Sequence, residues 1–218
     1  MEQQSANIKP DVIAPQHRPY TGSCHCGATK YIVFLTLPRS PPSDAQRTPP
    51  SGEAQRLYRC NCKICHKAGF MHMRPASVFN DFLLLSPSDP FEDLGDYQCN
   101  AKVAHFFFCK TCGVRCFTFI GKGNVVDVDL AALGVPGVSS EPGNTIKAWR
   151  PKKQTTDINS ARLGSYLIVN GHTIDAGQEG FDMRELVENK ALTYLDYLKE
   201  SDEKLTERYE RPHDGGSY

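Results

Sequence analysis

The stretch Cys60-Asn61-Cys62-Lys63-Ile64-Cys65-His66-Lys67-Ala68-Gly69 puts three thiols into six consecutive residues. Three sulfurs from one turn, with no obvious fourth, is the donor count of an open metal site. Catalytic zinc keeps three protein ligands and one exchangeable position, whereas structural zinc is closed by four. On either side of this triplet the chain offers two more pairs, Cys24-His25-Cys26 and Cys109-Lys110-Thr111-Cys112. In extended chain, residues i and i+2 share a face, so Cys24 and Cys26 can chelate one ion from a strand edge. Cys109 and Cys112 converge in a C-x-x-C turn that Gly113 relaxes, which reads as a zinc knuckle. The four sulfurs of these two pairs complete a closed tetrahedral site without borrowing from the triplet. A metal there would staple distant segments of a small β-rich domain.

The competing readings of the same cysteines are disulfides, or two structural sites. The chain has nine cysteines, an odd number, and residues 1–16 lack the apolar stretch of a secretory signal. A reducing, cytoplasmic location is therefore expected, with the thiols free. Two structural sites would require a fourth ligand for Cys60, Cys62 and Cys65, for which Cys99, Cys116, His66, His72 and His105 are candidates. Taken singly, Cys99 and Cys116 read as small buried thiols and His66 as a surface histidine. His72 lies at strand spacing from Phe70 and can face the site.

With 218 residues and 39% hydrophobic content, the chain has material for one well-packed domain. No apolar run approaches the roughly 20 residues of a spanning helix, so no membrane partner is expected. The formal charge is zero, which argues against a broad nucleic-acid footprint. Lys147, Arg150, Lys152 and Lys153 form a local basic group that reads as a solvated loop, with a grip on an anionic small molecule as the other reading.

Residues 1–19 read as a disordered polar tail and 20–200 as one zinc-binding domain. Strand signals recur at 28–37, 69–74, 78–85, 103–108, 115–120, 124–130 and 165–174, separated by Gly, Pro, Asn and Asp. This pattern predicts a mainly antiparallel β domain. Residues 38–55 carry prolines and serines and read as a surface insertion. Trp149 and the run Phe106, Phe107, Phe108 read as packing. From Asp182 the period changes: Met183, Leu186, Val187, Ala191, Tyr194, Leu195 and Leu198 recur at helical spacing. This predicts an amphipathic helix over 182–199, with Asp182 as N-cap and Glu185 as its reciprocal partner. Residues 201–218 read as a frayed tail.

Gly22-Ser23-Cys24-His25-Cys26-Gly27, then Cys60-Asn61-Cys62-Lys63-Ile64-Cys65 with Gly69, then Phe108-Cys109-Lys110-Thr111-Cys112-Gly113 together resemble the glutathione-dependent formaldehyde-activating family, which includes centromere protein V. The resemblance covers about residues 20 to 135, and residues 165–198 resemble the C-terminal part of fungal members. It implies a zinc-stapled β-tent holding two zinc ions, with Cys24, Cys26, Cys109 and Cys112 as structural ligands and Cys60, Cys62 and Cys65 at the catalytic metal. The implied activity is that of a carbon-sulfur lyase that joins glutathione to formaldehyde, forming S-(hydroxymethyl)glutathione. Two alternatives stand beside it: a zinc enzyme of specialised metabolism acting on another small molecule, and a non-catalytic binding module whose metal is structural.

Overall fold

The structure is a computed structural model and describes residues 15–37, 54–135, 143–153, 165–198 and 207–218. Most of the 38–55 insertion and the first 14 residues of the tail lie outside the described residues. The described chain opens with β1 (Gln16–Ser23) and β2 (Lys30–Leu37), then β3 (Arg56–Cys60), α1 (Lys63–Lys67), β4 (Met71–Arg74) and β5 (Phe82–Ser86). It continues through α2 (Pro90–Asp93), β6 (Gly95–Tyr97), β7 (His105–Phe108), β8 (Phe117–Ile120), β9 (Lys122–Asp129) and β10 (Thr145–Lys152). Strand β11 (Tyr166–Asn170) runs into a 3₁₀ turn (Gly171–Thr173), and α3 (Met183–Glu188), β12 (Thr193–Leu195) and β13 (Glu207–Arg208) complete it.

Among the described residues these strands form two sheets, as the mainly β reading requires. Sheet A has the order β1-β2-β5-β10-β9, and sheet B the order β13-β12-β3-β4-β11-β8-β7-β6. The pairings are antiparallel except β12 on β3, where Thr193 lies beside Tyr58 and Leu195 beside Cys60. Side chains alternate between faces along a strand, and this alternation sorts the core. Tyr31, Val33 and Leu35 of sheet A meet Met71, Met73, Phe117, Phe119 and Leu167 of sheet B in the central cluster. Ile32, Leu83 and Ala148 face the other side of sheet A, where Leu130 and Val135 cover them. Trp149 is 2% exposed and meets Phe119 edge-to-face at 5.2 Å, so it packs the core as expected. On the outer face of sheet B, Tyr58, Ile168 and Leu195 form a separate cluster with Phe70, Cys60 and Cys65.

Four expectations are corrected. Order begins earlier than residue 20, because β1 pairs along its whole length with β2, Gln16 opposite Leu37. Its Pro19 is tolerated because β1 is an edge strand of sheet A. Lys147, Arg150 and Lys152 of the basic group lie on β10 and Lys153 follows it; Lys147 pairs with Asp127 at 3.3 Å and Arg150 Nε donates to the Phe79 carbonyl at 3.1 Å. Arg150 thus braces the fold, whereas Lys147, Lys152 and Lys153 are solvated as expected but belong to a strand and its end instead of a loop.

The helix predicted over 182–199 ends at Glu188. Asp182 does cap it, accepting from the Arg184 N–H at 2.8 Å. Lys190 then turns left-handed at φ 53°. The Lys190 N–H donates to Val187 O and the Ala191 N–H to Leu186 O, which is a Schellman ending. The apolar residues after it serve β12 instead, because docking beside β3 buries Thr193, Tyr194 and Leu195 together.

The last segment is not frayed where it is described. β13 pairs with β12, Arg56 forms an ion pair with Glu207, and His213 is 5% exposed.

Candidate metal centres

Two groups of cysteine sulfurs come together, and they are the two that spacing separates. Cys24, Cys26, Cys109 and Cys112 have all their sulfurs within 4.8 Å of one another, as do Cys60, Cys62 and Cys65. All nine cysteines are free.

The four-sulfur group is built by two similar turns, each ended by a left-handed glycine. The loop between β1 and β2 carries Cys24 and Cys26, with Gly27 at φ 74° donating its N–H to Cys24 O at 3.0 Å. The loop between β7 and β8 carries Cys109 and Cys112, with Gly113 at φ 75° donating to Cys109 O at 2.8 Å. Cys26 Sγ lies 3.6 Å from both Cys24 Sγ and Cys109 Sγ. Four sulfurs at about 2.3 Å from a zinc ion stand about 3.8 Å apart, so the group fits that ion closely. Burial pushes the Cys109 thiol up, but the Cys112 and Thr111 N–H groups outweigh it and hold it down at about 6. A thiolate is thus favoured where a cation would sit. Because one loop belongs to sheet A and the other to sheet B, an ion here ties the two sheets together.

The triplet rises from the end of β3 into α1, on the outer face of sheet B. Cys60 ends the strand, Cys62 is the N-cap of α1 and Cys65 lies within it. The helix closes through Gly69 at φ 58°, whose N–H donates to His66 O, and through the Phe70 N–H on Cys65 O at 3.0 Å. This ending holds a five-residue helix in place and fixes Cys65. Hydrogen bonding with Cys62 pushes the Cys60 thiol up to about 12. Cys65 is pushed up by Cys60 and Cys62. Cys62, stabilised by hydrogen bonds from Cys60 and Cys65, is held far below the ordinary thiol value. Three clustered sulfurs thus carry one negative charge readily and three only with a cation among them. Thiolates are also the form that binds metal, so this donor set fits a soft divalent ion.

Of the candidate fourth ligands, only His72 is shown against a triplet sulfur. Its Nε2 lies 3.3 Å from Cys65 Sγ, and its ring stacks on Tyr58 at 4.3 Å. Burial pulls its imidazole down to about 4, so it is neutral near pH 7. His72 nonetheless falls outside the group whose ligand atoms all lie within 4.8 Å. His66 is exposed on α1, and His105 bonds Asp96 Oδ2 at 2.8 Å. Cys99 belongs to neither group, and Cys116 is buried in the core.

Sequence reasoning passed over the group that braces the triplet. Asn61, between Cys60 and Cys62, is 4% exposed. Its Nδ2 donates to Asp196 Oδ1 at 2.8 Å and to the Asp214 carbonyl at 3.2 Å, and its Oδ1 accepts from the Tyr197 N–H at 2.7 Å. His213 adds contacts to Asp196 and the Tyr194 carbonyl. The available signal was an amide between two ligands, a residue type with both donors and an acceptor to spend. Across the outer face the Tyr58 and Tyr166 hydroxyls meet at 2.6 Å, and the Arg74 guanidinium lies over the Tyr166 ring.

No family model matches the chain. It is similar to a Rhodobacter sphaeroides protein solved as a structural-genomics target, with 20% identity over 76% of this chain and 94% of that chain and a TM-score of 0.38. Among the described residues no helix is long and apolar enough to cross a membrane.

Proposed function

We propose that the protein is a zinc-dependent carbon-sulfur lyase that joins glutathione, or a similar small thiol, to formaldehyde or a related small electrophile. The observation that carries this reading is the pairing of one four-sulfur group with one three-sulfur group. The resemblance of the three ordered cysteine motifs to the formaldehyde-activating family supports it. Cys24, Cys26, Cys109 and Cys112 would hold a structural zinc, and Cys60, Cys62 and Cys65 the catalytic one. Zinc held by the triplet would favour ionisation of a bound thiol near neutral pH and keep it beside an electrophile.

The chain's own residues have defined tasks in this account. Cys60, Cys62 and Cys65 bind, and Asn61 fixes the loop that carries them. Phe70, Ile168 and Leu195 supply the apolar packing beneath Cys60 and Cys65. In the net reaction a carbon-sulfur bond forms and the thiol proton ends on the former carbonyl oxygen. Atoms and electrons balance without an oxidant, and the reverse reaction is an elimination, hence the lyase class.

One contact favours a second reading. If His72, 3.3 Å from Cys65 Sγ, closes the coordination, the triplet becomes structural and the protein a binding module. Carbon-13 exchange NMR of labelled formaldehyde with glutathione separates the two. The zinc-loaded protein should accelerate interconversion with S-(hydroxymethyl)glutathione, and Cys62→Ser should lose that acceleration while its melting temperature falls only a little. No acceleration by the wild type, or a Cys62→Ser variant that mainly loses stability, would favour the module.

A further inference from the structure

Arg59 and Tyr194 are neighbours across the parallel pairing of β3 and β12, and each buries a hydrogen-bond donor without an acceptor. Arg59 Nε and the Tyr194 hydroxyl both lack a partner, and Tyr194 is 2% exposed. Arg59 spends one Nη2 hydrogen bond on His172 Nε2 at 3.0 Å, a neutral acceptor when that nitrogen is unprotonated. Among the described residues no carboxylate pairs with it. A half-buried guanidinium beside a second idle donor lacks an anionic acceptor.

The space for that acceptor is present. A cleft of about 340 Å³ opens beside Arg59, between sheet B and α3, with Met71, Met183, Val187 and Leu192 as apolar walls. Its size is at the low end of small-molecule sites, roughly 300 to 1,000 Å³. Arg184 and Glu188 also line it. Arg184 is committed to Asp182, with Nε on Oδ1 at 3.1 Å, and Glu188 lies within its electrostatic reach. Of the two cations lining the cleft, Arg59 is the one without a carboxylate partner among the described residues, and Glu188 keeps the local charge low, which suits a monoanion with an apolar body better than a phosphate dianion. Arg59 precedes Cys60 on β3, so the two side chains leave opposite faces. The cleft is thus separate from the thiol site.

We propose that this cleft binds a small organic monocarboxylate, its carboxylate on Arg59 and its apolar body along Met71, Met183, Val187 and Leu192.

The four methionines of the chain make the test direct. The full-length protein, labelled with carbon-13 at the methionine methyls, is titrated with hexanoate, hexanol and hexylamine. Hexanoate should saturably shift Met71 and Met183 and leave Met1 in place, while the alcohol and the amine at equal concentration should not. Arg59→Met should weaken hexanoate binding at least about tenfold, the loss expected for a charge-assisted hydrogen bond. Equal shifts with hexanol, no shift with hexanoate, or full affinity in a folded Arg59→Met variant would overturn the proposal. If that variant does not fold, the comparison of the three ligands on the wild type decides.

Discussion

The side-chain amide of Asn61 donates to Asp196 Oδ1 at 2.8 Å, so the residue between two clustered cysteines is anchored to the chain just after β12. The same amide takes the Tyr197 N–H and reaches Asp214 O. The triplet is therefore held by segments more than 130 residues away in sequence. Outer-shell partners of this kind typically affect metal affinity 10- to 100-fold.

Asn61→Ala should weaken metal binding at the triplet by roughly that factor, about 10 to 100, and leave the four-cysteine group unchanged. Removal of residues 207–218, which hold His213 and Asp214, should act in the same direction. Competition against a chromophoric chelator measures both, and a loss shared equally by the two groups would contradict the assignment.

The two groups should differ in how they hold metal. The reduced protein should take up two equivalents of zinc, one from the triplet resisting chelation less than the one tying sheet A to sheet B. Cys109→Ser should lower the melting temperature markedly, since the staple between β7–β8 and β1–β2 is lost, whereas Cys62→Ser should lower it little. Thermal melts followed by circular dichroism, with metal content determined in parallel, check both statements.

At Gly123 an added Cβ would lie 2.1 Å from Trp149 Cζ2, and the buried indole has no room to withdraw. Gly123→Ala should therefore cost about 1–3 kcal/mol, the usual range for overpacking. Denaturant unfolding read through Trp149, the one tryptophan of the chain, gives the value.

Lys190 occupies the left-handed position that ends α3, where a side chain meets a steric cost of about 1–2 kcal/mol. Lys190→Gly removes that cost and adds unfolded-state entropy, leaving a net stabilisation of about 0.5–1 kcal/mol. The same denaturant experiment reads it, and destabilisation would contradict the described helix end.

What was legible in the sequence follows from the range of the forces involved. Cys24 with Cys26, and Cys109 with Cys112, announce themselves because chelation needs ligands close in sequence. Strand β2 reads as buried on both faces because Tyr31, Ile32 and Val33 are apolar in succession. Strand β10 reads as a basic loop because Lys147 and Arg150 mask the buried pair Ala148 and Trp149. The end of α3 was hidden because Lys190, not glycine, takes the left-handed turn. Asn61 and His213 were missed because their roles exist only once distant segments meet.

The central claim, that Cys60, Cys62 and Cys65 hold a metal with a position open to a thiol, is tested most directly by calorimetry. The reduced, zinc-loaded protein is titrated with glutathione and with S-methylglutathione, which cannot ionise at sulfur, in two buffers of different ionisation enthalpy. The account predicts binding of glutathione alone, with proton release. Equal binding of both ligands, or no heat from either, would contradict it.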